Sequence, residues 1–135
     1  MIYLIRRFLM KVVETEGAPK PVGPYSQGIL YGNLIFTSGQ LGIDPKTGEL
    51  EKDFRRQSER ALRNLVSVVE AAGGSRCSIV KVTVYLSDIG KFGEFNSIYE
   101  EFFKECPFKP CRSAVGVKEL PLGAEVEVEC IAIRG

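Results

Sequence analysis

Apolar residues recur along this chain with two periods, and the switches between them mark its elements. In the stretch "ILYGNLIFTSGQLG", residues 29–42, two apolar runs flank Gly32-Asn33. That dipeptide type supplies positive φ to a two-residue turn, so the spacing predicts a β-hairpin. "DPKTG" follows as a turn leading towards a helix. Between Asp53 and Ala72 the apolar positions Phe54, Ala61, Leu62, Leu65, Val68, Val69 and Ala72 return at intervals of three and four. Asp53 can cap the start of this helix and Gly73-Gly74 ends it. "SIVKVTVYLSD" is β-branched and alternating, with Val80, Val82, Val84 and Leu86 on one side, and reads as a strand. A second amphipathic helix carries Phe92, Phe95, Ile98, Tyr99 and Phe102 at helical spacing and is halted by Pro107. Two closing strands, residues 113–118 and 125–134, are joined by "ELPLGA".

The order of strands, helix, strand, helix and two strands predicts a single α+β domain, a sheet with two helices packed on one face. Two helices leave the other face bare. In the last strand Ile131 and Ile133 share a side with Glu125, Glu127 and Glu129, while Val126, Val128, Cys130 and Ala132 line the opposite side. A face part apolar and part charged, with no helix left to cover it, implies an oligomer that uses that face as its interface. The apolar runs of "MIYLIRRFLM" are too short for a signal peptide or a membrane span, and Met10 reads as an alternative start. Residues 1–9 are therefore set apart as an extension (a strand, a disordered tag or a start-site artefact) without functional weight, and residues 10–135 form the domain.

Composition narrows the chemistry. The 135 residues are long enough to bury a core without staples, and a net charge of +1 gives no electrostatic reason to expect nucleic acid. Histidine is absent, which excludes Ser-His-Asp and Cys-His catalysis and the common histidine-bound metal centres. Cys77, Cys106, Cys111 and Cys130 form no C-x-x-C pair and are read as reduced thiols of a cytoplasmic protein. Proton chemistry is left to carboxylates, tyrosine, lysine, cysteine, backbone or water.

Three groups of residues could act. Arg112, after Pro110, stands at the entrance of a strand, where a guanidinium must meet an anion, carbonyls or water; a surface ion pair is the plainer reading. The glutamates of "EVEVEC" read first as a solvated strand face, although three like charges in a row call for a partner nearby. Tyr25, Ser38 and Asn96 have ordinary explanations as a loop aromatic, a strand-end hydroxyl and a helix-surface amide. Cys106 and Cys111 flank a proline-containing loop and could react, but free cysteine is usually buried and inert.

Taken in order, "GPYSQG", "IFTSGQLGIDPKTGEL", "KVTVYLSDIGKFGEFNSIYEEFF" and "CRSAVGVKELPLGAEVEVECIA" resemble the RidA or YjgF family of reactive-intermediate deaminases, over residues 12–134. The resemblance implies a chorismate-mutase-like fold with a mixed sheet, a homotrimer, and clefts at the subunit interfaces. It also implies hydrolysis of 2-imino acids such as 2-iminobutanoate and 2-iminopropanoate, or their enamines, to 2-oxo acids and ammonia, with no cofactor and no metal. By motif, Arg112 corresponds to the residue that holds the substrate carboxylate, and Glu127 to the one that positions water or shuttles a proton. Tyr25, Ser38, Gly39, Asn96 and Ala114 correspond to the cleft wall. Ala114 departs from the many bacterial members with cysteine there, which removes any thiol-dependent role at that position. Two rival expectations stand beside imine hydrolysis: a non-catalytic binder of 2-oxo acids or amino acids in the same cleft, and an endoribonuclease. The near-neutral charge and the lack of a basic stripe argue against the latter. The expected partners are a carboxylate-bearing small molecule and further copies of the chain, with no nucleic acid and no membrane.

Overall fold

The computed structural model describes residues 2–5 and 8–135. Met1, Arg6 and Arg7, part of the extension set apart above, lie outside them. Ten regular elements follow one another: β1 (Ile2–Ile5), β2 (Phe8–Val13), β3 (Gly28–Tyr31), β4 (Leu34–Thr37), β5 (Gln40–Leu41), α1 (Phe54–Ala71), β6 (Ile79–Leu86), α2 (Phe92–Phe103), β7 (Cys111–Gly116) and β8 (Val126–Ile133). The strands form one mixed sheet in the order β1-β2-β3-β4-β8-β6-β7, with β5 also paired to β8. Among the described strands only β6 and β7 run parallel, as the helical crossover through α2 requires.

The hairpin expected at Gly32-Asn33 forms, with Tyr31 opposite Leu34, and Gly32 alone of the two takes positive φ, 61°. In α1 the Asp53 carboxylate accepts the N–H of Arg56, and the predicted apolar positions are all buried against the sheet. Two sequence readings shift by a residue. A register irregularity between Ile79 and Lys81 turns Ile79, rather than Val80, into the core beside Val82, Val84 and Leu86. In α2 the stripe runs through Phe95, Ile98, Tyr99 and Phe103, leaving Phe92 exposed and Phe102 half-buried. Strand β7 starts directly after the buried Pro110, two residues before the predicted position, because Cys111 already pairs with Lys81.

Both helices cover one face, and the core lies between them and β4, β6 and β8. Among the described residues no helix covers the other face. Cross-strand pairing lines up Ile29 with Phe36, Tyr31 with Leu34, Leu34 with Ile133 and Phe36 with Ile131 in an apolar band. Beside that band lie Thr83 opposite Glu129 and Tyr85 opposite Glu127. No helix among the described residues is long and apolar enough to cross a membrane.

The cysteine reading is corrected: Cys77 and Cys106 form a disulfide, their Cα atoms 5.3 Å apart, while Cys111 and Cys130 are free. Spacing rules look for neighbours in sequence. This bridge instead joins the turn after α1 to the end of α2, which meet only because both helices pack on the same face.

Candidate functional site

Arg112 lies on β7 opposite Val82, which puts its side chain on the helix-covered side of the sheet, at the sheet's edge. Its guanidinium carbon sits 4.8 Å from the ring centre of Tyr99 and 5.5 Å from that of Phe92. Phe92, Asn96 and Tyr99 stand at i, i+4 and i+7 of α2, so the half-buried Asn96 shares their stripe. Ala114, two residues on from Arg112, shares its face and packs at the margin of the core. Among the described residues Arg112 pairs with no carboxylate; the ion pairs there are Arg55–Glu59, Arg56–Asp53, Arg60–Glu51, Lys91–Glu125 and Lys104–Glu101. A half-buried guanidinium without a counter-ion keeps its fork of N–H donors available to an anion.

Glu127 occupies the uncovered face. It pairs with Leu41 on one side and Tyr85 on the other. Gly39 closes over it: a Cβ at that glycine would fall 2.7 Å from the Glu127 carboxyl carbon and push the carboxylate from the place it holds. Burial raises the Glu127 carboxyl above its ordinary range, and the neighbouring Glu129 raises it further. Glu129 is itself engaged, accepting a hydrogen bond from the Tyr85 hydroxyl at 2.6 Å. Tyr85 is pushed up to about 12, first by that bond to the carboxylate.

Ser38 joins this second group to the loop ahead of β3. Its hydroxyl donates to the Ser26 carbonyl and its N–H to the Gln27 carbonyl. Gln27, buried, ties the same loop down by donating from its amide to the carbonyls of Thr15, Ala18 and Pro19. Tyr25 projects from it, 46% exposed, its hydroxyl accepting the N–H of Val22. A hollow of about 830 Å³ opens beside it, lined by Lys20, Lys46, Glu14 and Ser26 among others.

The residues singled out from sequence thus fall into two sets. Gly39 and Glu127 meet, with Ser38 and the Tyr25 loop attached; Arg112 lies over Tyr99 and Phe92, with Asn96 on their stripe of α2 and Ala114 on its own face of β7. The sets lie on opposite faces of the sheet and on either side of β6, so one protomer does not bring Arg112 to Glu127. Sequence reasoning did not single out Tyr85 and Glu129 as a bonded pair, since its only trace there was the alternation that puts both on the bare face. Periodicity alone places Phe92 and Tyr99 simply in the helix core.

Comparison with known proteins agrees with this architecture. The family described as Endoribonuclease L-PSP matches residues 15–134. A RutC family protein of Aquifex aeolicus is 50% identical over 93% of this chain and 100% of its own. The 2-iminobutanoate/2-iminopropanoate deaminase of Escherichia coli K12 is 44% identical over 93% and 99%. Among solved structures, the yjgF gene product of E. coli superposes with a TM-score of 0.88 at 45% identity, covering 93% of this chain and 99% of that one. E. coli TdcF with bound serine superposes with a TM-score of 0.88 at 41% identity, covering 93% and 99%. With the match extending over nearly the whole length on both sides, the chain belongs to the Endoribonuclease L-PSP family, also known as the RidA or YjgF family.

Proposed function

We propose that this protein hydrolyses reactive 2-imino acids, 2-iminobutanoate and 2-iminopropanoate among them, to 2-oxo acids and ammonia, in clefts completed between protomers of a homotrimer. The observation that carries the reading is the guanidinium of Arg112 on its aromatic bed, paired with no carboxylate among the described residues and so an anchor for a substrate carboxylate. An imine carbon is already electrophilic, so holding the acid and presenting water to that carbon supplies most of what the reaction needs. Glu127, contributed by a neighbouring protomer, accepts a proton from the attacking water as the C–O bond forms. The C=N π pair passes to nitrogen, which takes that proton back from Glu127 to give a carbinolamine; a second transfer, from the carbinol hydroxyl through Glu127 or water to nitrogen, forms the C=O bond as the C–N bond breaks and ammonia leaves. Ser38, Gly39 and the Tyr25 loop then form the wall on the Glu127 side, and Asn96 and Ala114 the wall on the Arg112 side. The E. coli relative named as a deaminase supports this substrate class.

A second reading, a binder of amino or 2-oxo acids without turnover, is favoured by the bound serine of the TdcF neighbour. RNA cleavage is set aside, because a net charge of +1 offers no track for a polyanion. Ammonia release from freshly generated 2-iminobutanoate separates the first two. Wild type accelerates it above the spontaneous rate, and Arg112→Ala falls by a factor on the order of a hundred in kcat/KM through loss of a charge-assisted fork. If both proteins leave the spontaneous rate unchanged while wild type alone binds 2-oxobutanoate, the binder is the correct reading.

A further inference from the structure

We infer that Tyr99 and Phe92 are positioning residues that orient Arg112 by offering it two ring faces, and so set how tightly the protein holds a carboxylate. This rests on the reading of Arg112 as the carboxylate anchor and concerns how that anchor is kept both fixed and charged.

A guanidinium on a long side chain at a sheet edge would ordinarily be held by an acidic neighbour. Such a neighbour would fix it and at the same time neutralise it, competing with any incoming acid. Here the support is aromatic. Arg112 lies within cation–π range of both rings, and no carboxylate among the described residues pairs with it. A planar guanidinium resting on ring faces keeps its N–H edges free in its own plane, the geometry a carboxylate fork requires.

The bed is itself immobile on one side and open on the other. Tyr99 is only 6% exposed and is wedged between Phe103, at 4.8 Å between ring centres, and Phe95, at 5.8 Å. Phe92, one residue into α2 and 40% exposed, reaches the guanidinium from the solvent side. The Tyr99 hydroxyl is buried without a hydrogen-bond partner among the described residues. It is therefore the ring, and not the hydroxyl, that has an evident use at this position, and removing the hydroxyl relieves an unsatisfied polar group.

The test uses the full chain with Tyr99→Leu, Tyr99→Phe and Phe92→Leu, each measured for imine turnover and, by calorimetry, for 2-oxobutanoate affinity. The substrate carboxylate carries the same charge before and during reaction, so loss of its anchor appears in KM. Tyr99→Leu raises KM and weakens 2-oxobutanoate binding by roughly three- to thirty-fold, the range of a partly desolvated cation–π contact, while kcat stays within about twofold. Tyr99→Phe, which restores the ring, returns both to within about twofold of wild type and melts at or above its temperature. Should Tyr99→Leu fail to fold, the exposed Phe92→Leu carries the same expectation at roughly two- to five-fold. Wild-type constants in Tyr99→Leu or Phe92→Leu, with Arg112→Ala still impaired, overturn this inference alone. A Tyr99→Phe as impaired as Tyr99→Leu overturns it too, because the hydroxyl would then be the working group. An Arg112→Ala with unchanged affinity overturns the carboxylate-anchor reading underneath.

Discussion

At the scale of single residues the informative group is Glu127, whose carboxyl is raised by burial and then by Glu129. A carboxyl raised in the folded state adds stability in acid, and that contribution is lost as pH climbs from the ordinary carboxylate value through the raised one. Glu127→Gln is therefore expected to melt above wild type at neutral pH, with the advantage shrinking towards pH 4 in thermal scans. Its effect on turnover has the opposite sign. As the proposed proton acceptor Glu127 would work only when ionised, so kcat is expected to rise with pH through the raised value, and Glu127→Gln to lose about a hundred- to ten-thousand-fold. Glu129→Gln moves that acid limb downwards, since the second cause of the shift is gone; an acid limb indifferent to both substitutions would remove Glu127 from the reaction. Sequence made the triplet of glutamates visible. It could not tell them apart, because Lys91 engages Glu125, Tyr85 engages Glu129, and Gly39 lies against Glu127. Each of those partners arrives through strand pairing or loop packing.

At the scale of elements, periodicity located both helices and the main strands, and it failed where a neighbour overrode it. Val80 yields its core position to Ile79 at a bulge whose cause lies in pairing with β8. The disulfide was invisible for a related reason: Cys77 and Cys106 are 29 residues apart and meet only after α1 and α2 have packed. Closing a loop of that length removes unfolded-state entropy corresponding to about 3.6 kcal/mol. The double substitution Cys77→Ser with Cys106→Ser is expected to lower the unfolding free energy by roughly that amount in urea titrations. Adding a thiol reductant should then lower wild type and leave the variant unchanged. Equal stability of all three would mean that the bridge does not constrain the chain in solution. The lever acts close to the site, because the segment from Cys106 to Pro110 leads straight into the strand that carries Arg112.

At the scale of the molecule, the uncovered sheet face and the divided site ask for the same thing. The apolar band through Ile29, Tyr31, Leu34, Phe36, Ile131 and Ile133 is what a neighbouring copy would bury, and the Glu127 group lies along its border. The bare face was legible from the alternation of the last strand. The separation of Arg112 from Glu127 was not, since both motifs lie near the C-terminal end of the chain and only the β6–β7 and β6–β8 registers show that they turn away from each other.

Two faces, one reaction: if the fork and the base come from different copies, then two dead proteins can repair each other. Arg112→Ala retains an intact Glu127, and Glu127→Gln retains an intact Arg112. Unfolded together in equal amounts and refolded, they would reassemble at random, and in the proposed trimer each mixed ring would hold one seam where both intact halves face each other. About a quarter of the wild-type kcat/KM should return from two impaired parents. No recovery after verified subunit exchange would mean that each copy works alone.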